Sequence, residues 1–129
     1  MAAGVVTRSV LNSEDDKAFI QVVWNLTTAD PTGDAAAIPE FNEKVWTIGN
    51  ASGDAFGGAT CSLQGKNASG DTLVTLNKAA GGATATAAAA ATISTIENTL
   101  FVAPVLTAVG AGAIIRVTLL ARRANILRN

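Results

Sequence analysis

Short runs of β-branched and other apolar residues, cut at fairly even intervals by clusters of glycine, asparagine, aspartate and serine, most constrain the fold open to this chain. β-Branched side chains favour a pleated backbone. The interrupting residues supply the turn conformations that let one strand return beside another. Many short runs with this spacing are the signature of an all-β sandwich or barrel.

Eight runs read as strands, at residues 4–10, 17–26, 44–48, 59–65, 72–76, 83–95, 99–108 and 112–121. The second, with Phe19, Ile20, Val22, Val23, Trp24 and Leu26, has β-formers enough to bury at least one whole face. In the third, Trp46 and Ile48 fall on one face and Val45 and Thr47 on the other. The fourth alternates Ala59, Cys61 and Leu63 with Thr60, Ser62 and Gln64, and pairs as a hairpin with the fifth across a polar loop. Asn12 to Asp16 reads as a turn, and residues 27–40, with Pro31, Gly33, Asp34 and Pro39, as a long excursion over the surface. Periodicity and propensity disagree over residues 83–95, where alternating Ala and Thr give way to a run of alanines, the best helix formers. The abundance of threonine, the nearby Ile93 and Ile96 and the lack of a capping box favour a strand. Pro104, inside an otherwise continuous run, is expected at an edge or a bulge. Eight strands suit a jelly roll or a related two-sheet sandwich. At 129 residues the chain makes one such domain, with residues 1–10 a candidate N-terminal arm and residues 122–129 a C-terminal tail, both flexible.

Composition removes whole classes of chemistry. The chain has neither histidine nor tyrosine, which excludes histidine-dependent nucleophilic catalysis and histidine-bearing zinc sites. Nine Lys plus Arg stand against ten Asp plus Glu, so no strong field is available for nucleic acid or an anionic membrane. Residues 100–120 are broken by Pro104, Gly110, Gly112 and Arg116 and make a poor spanning helix. Neither nucleic acid nor membrane is therefore expected as a partner. Glu14, Asp15 and Asp16 cluster, but as adjacent acids in a loop they read as solvated, and with Asp30 or Asp34 they lack the spacing of a calcium loop. Gly57-Gly58 and Gly81-Gly82 lack the partners of a phosphate cradle. Trp24 and Trp46 read as core residues, and the single Cys61 as a small, inert one. No catalytic residue, metal or cofactor is expected. What remains is contact through surfaces: the ending Arg122-Arg123 with Ile126, Leu127 and Arg128 suits docking on an acidic protein face, and Arg8 belongs to a second candidate arm.

Four segments carry a resemblance: Val45-Trp46-Thr47-Ile48, Cys61-Ser62-Leu63-Gln64-Gly65-Lys66-Asn67, Val102-Ala103-Pro104-Val105 and Val117-Thr118-Leu119-Leu120-Ala121-Arg122-Arg123. Together they resemble a group of small tailed-bacteriophage virion proteins, the jelly-roll capsid decoration or cement proteins. In that group a strand ending in Gln/Glu-Gly-x-Asn precedes a polar turn. An Arg-Pro-x-Val strand and a glycine-containing turn follow, and a closing apolar strand ends in paired arginines. Ala103 stands where the group usually has arginine, so no contact is carried over for that position. The resemblance implies a non-enzymatic protein, often a dimer or trimer, that sits on the capsid exterior and staples neighbouring major capsid subunits. Such a protein is made in the host cytoplasm and incorporated into the virion without secretion. The alternatives are another virion component, such as a head-tail connector or tail protein, and a carbohydrate-binding adhesion module, which would need an exposed aromatic residue.

Overall fold

The computed structural model describes the backbone of residues 5–13, 16–38, 41, 43–49, 51–97 and 99–122, with side chains from Phe19 onward. The described residues form an all-β sandwich of ten strands without a helix: β1 (Val5–Ser13), β2 (Asp16–Thr27), β3 (Ala36–Ala37), β4 (Glu43–Ile48), β5 (Thr60–Lys66), β6 (Val74–Thr75), β7 (Thr86–Ala87), β8 (Ala91–Thr95), β9 (Phe101–Thr107) and β10 (Ile114–Arg122). The larger sheet has the order β1-β2-β10-β4-β8, and the smaller the order β3-β9-β5-β6 with β7 also paired to β5. Every pairing is antiparallel.

Alternation fixes which side of each strand is buried, because successive side chains point to opposite faces. Ile20, Val22, Trp24 and Leu26 of β2 lie in the core with Ile115, Val117, Leu119 and Ala121 of β10 and with Trp46 and Ile48 of β4. Against them pack Cys61 and Leu63 of β5, Val102 and Leu106 of β9, Ala36 of β3, and Ile38, Leu76 and Ala85, which adjoin β3, β6 and β7. The two tryptophans come from strands on either side of β10 and stack with ring centroids 5.9 Å apart at 19°. A buried indole N–H needs an acceptor. Trp24 Nε1 donates to the Asp34 carbonyl at 2.8 Å, and Trp46 Nε1 to Thr95 Oγ1 at 3.0 Å.

Three expectations change. Of the expected surface excursion at residues 27–40, the described part, residues 27–38, is no free loop: Ala36 and Ala37 pair with Val102 and Phe101, Thr32 bridges Val105, and Ala36 and Ile38 are buried. Proline and glycine punctuate this segment without preventing it from serving as the edge of the smaller sheet. Residues 83–95 are two strands rather than one, with β7 in the smaller sheet and β8 in the larger, separated by a bend at Ala88 to Ala90. Three successive alanines offer little side chain to hold the chain in either sheet, and at this run it passes from one sheet to the other. Residues 5–10, weighed as an arm, belong to β1 and pair with β2.

Pro104 lies within β9, which is flanked on both sides, opposite Leu63 of β5. On its other side the pairing slips: the three residues Gly33 to Ala35 face only Ala103 and Pro104 between the Thr32–Val105 and Ala36–Val102 pairs. This bulge suits a residue that has no N–H to give. Gly33 donates its N–H to the Pro104 carbonyl at 2.9 Å, and a Cβ on Gly33 would lie 2.8 Å from Trp24 Cδ1 and 2.9 Å from Pro104 Cδ. Both neighbours are rigid and buried, so Gly33→Ala is expected to cost about 1–3 kcal/mol through overpacking. The loss should appear as a lower urea midpoint at unchanged slope; a midpoint equal to that of the wild type would show that the tryptophan pair can yield.

Candidate interaction surface

The residues that β2, β10, β4 and β8 turn away from the core form the outer face of the larger sheet, and register determines which of them meet. Leu120 of β10 stands opposite Val45 of β4, which in turn stands opposite Ser94 of β8. Arg122 stands opposite Phe19 of β2 on one side and Glu43 of β4 on the other. Ile96 follows directly after β8. The result is a shallow hollow of about 280 Å³ lined by Phe19, Val45, Ile96 and Leu120, with Glu43 and Arg122 at its rim. Val45, Leu120 and Ile96 are 41%, 38% and 60% exposed, unusual for large apolar residues gathered in one place. Further along the same face Thr47, Ala51, Arg116 and Thr118 line a second, more polar hollow.

Arg122 Nε donates to Glu43 Oε1 at 2.6 Å. With both partners solvated, this pair contributes little to stability. It does cancel the charge at the rim, leaving an apolar and nearly neutral patch. Beneath it Lys44, on the inward side of β4, is 1% exposed, and its ammonium donates to the Glu97 carbonyl at 2.7 Å. The Glu97 carboxylate accepts from the Asn77 backbone N–H at 2.7 Å and from its side-chain amide at 3.2 Å. Burial lowers the Lys44 pKa to about 8, against the opposing pull of the Glu97 charge. Cys61 is fully buried, and desolvation pushes its thiol up to about 12, which keeps it protonated and unreactive at neutral pH. Among the described residues no group of three or more His, Cys, Asp or Glu is placed to hold a metal ion.

Of the candidate contact residues, Arg122 is the last residue of β10 and lies on this face. Arg8 lies in β1 opposite Val22, away from either end of that strand. Arg123, Ile126, Leu127 and Arg128 fall outside the described residues, as do Glu14 and Asp15. Sequence reasoning missed the cluster of Phe19, Val45, Ile96 and Leu120. Its signal was present in β2 and β4, where apolar residues occupy outward as well as inward positions. No protein-family model, curated protein or solved structure matches the chain.

The Lys44 environment makes stability depend on pH in a defined direction. Its folded pKa, near 8, lies below the unfolded value of 10.5, so between these values the unfolded chain binds more protons and stability rises with pH. The contribution is full above the unfolded value and is lost as pH falls through the folded one. Lys44→Met removes this titration, so the wild type should gain stability relative to the variant as pH is raised from neutral to about 10. Urea midpoints of both proteins across that range provide the check, and a constant difference would mean that Lys44 titrates as an exposed lysine does.

Proposed function

We propose that this chain is a non-enzymatic virion structural protein, a decoration or cement protein that binds the outside of an assembled tailed-phage capsid and holds neighbouring major capsid subunits together. The observation that carries this reading is where the larger sheet receives and releases the chain. β1 starts at Val5, opposite Trp24, and β10 ends at Arg122, opposite Phe19. These positions are five residues apart along β2, roughly 17 Å. Segments leaving one sheet at two separated points suit a protein that must touch more than one subunit.

Strand order supports the same reading. From β2 to β5, and again from β7 to β10, each successive strand lies in the opposite sheet. With β6 and β7 sharing one edge of β5, this arrangement fits two four-stranded sheets of a jelly roll, with β1 added beside β2. Arg8, Arg122, Arg123, Ile126, Leu127 and Arg128 are the proposed contacts with the capsid, requiring no cofactor, nucleic acid or membrane. A modest contact repeated at several subunits gains strength from effective concentration and stabilises the assembled shell over its parts.

Removing residues 125–129 is expected to lower occupancy on capsids stripped of the protein by about tenfold or more, because one of several linked contacts is lost. Cosedimentation measures the occupancy, and circular dichroism should show an unaltered fold. Full occupancy by the truncated chain would discount the tail, and failure of the full chain to bind at all would count against decoration itself.

A further inference from the structure

We infer that the outer face of the larger sheet is the surface turned toward the capsid, and that it takes a protein segment presenting an aliphatic side chain and, roughly 13 Å away, a carboxylate. The inference rests on the decoration reading, in which that segment belongs to a major capsid subunit. It adds a sheet face to the chain ends and states the chemistry that this face selects. Two hollows lie along β10. Leu120 belongs to the apolar one, with Phe19, Val45 and Ile96, and Arg116 to the polar one, with Thr47, Ala51 and Thr118. Leu120 and Arg116 both face outward from β10, four residues apart, which sets the spacing.

Arg116 selects the occupant. It is exposed, and among the described residues its guanidinium has no ion-pair partner. Two acids border this face, and both are engaged. Glu43 is bound by Arg122 at 2.6 Å, and Asp54 Oδ2 accepts the backbone N–H groups of Ala51 at 3.1 Å and of Arg116 at 3.4 Å. Between the hollows Thr118 stands opposite Thr47, so an occupant that fills the apolar end and extends along β10 also covers Arg116. A covered guanidinium needs an opposite charge, and a carboxylate matches its fork with two parallel hydrogen bonds. Other occupants do not supply one. A purely apolar segment leaves Arg116 buried without a partner, and a second copy of this chain brings the same two engaged acids and another unpaired Arg116. A nucleic acid needs several cations along its backbone, where this face offers one beside an apolar hollow.

The test is cosedimentation of the full-length protein with capsids stripped of it, on wild type, Arg116→Glu, Ile96→Asp and a control on the smaller sheet, Val74→Glu. All three substituted side chains are exposed, so the variants should keep the wild-type circular dichroism. Arg116→Glu and Ile96→Asp are each expected to raise the dissociation constant about tenfold or more, as for the loss of a central contact, while Val74→Glu binds as the wild type does. Wild-type affinity in either face variant overturns the two-point contact and leaves decoration standing. An equal loss in Val74→Glu also overturns it, because added negative charge anywhere on the domain would then account for the effect. A wild type that does not bind capsids refutes the decoration reading, and the inference falls with it.

Discussion

The stacked pair of Trp24 and Trp46 is the contact around which the sandwich is built. Aromatic residues make up only 5% of the chain, so these two rings supply much of the bulk in a core otherwise rich in alanine, leucine and isoleucine. Each indole buries roughly 200 Å², which at about 25 cal/mol/Å² is on the order of 5 kcal/mol before the entropy of ordering is subtracted. Their position requires small neighbours. Ala36, Ala59, Ala85, Ala113 and Ala121 are all buried in the same core. Gly33 lies so close to Trp24 that no side chain fits between them. The polar ends of the rings then fix how the layers meet: Trp24 reaches the carbonyl of Asp34 beside the smaller sheet, and Trp46 holds Thr95 at the outer strand of its own sheet.

The sequence was legible where side chains carried the information. β2, β4, β5, β9 and β10 were evident because their apolar residues alternate or fill both faces, and β5 and β9 lie together through seven paired positions. β3 and β7 were not recognised as separate strands because each is two residues long and made of alanine and threonine, with pairing that belongs to the backbone. The break between β7 and β8 escaped notice for a related reason. Alternation of Ala and Thr marks a strand, but continuing alanines mark neither its end nor the sheet to which it belongs. Pro104 could be read as a departure from regular pairing, while the segment that supplies the bulge could be found only through the fold.

The candidate surface was half legible for a different physical reason. Arg122 drew attention as a charge at the end of an apolar strand, and it does border the patch. The apolar residues beside it come from β2, β4, β10 and the end of β8, and only the register brings them together. Val45 could be assigned to the face opposite Trp46 from alternation alone. That Leu120 would lie next to it depends on β10 inserting between β2 and β4, a non-local pairing that no window of sequence contains. The ionisable groups follow the same logic, since nothing adjacent in sequence shows that Lys44 would sit under the patch with the backbone of Glu97 as its partner.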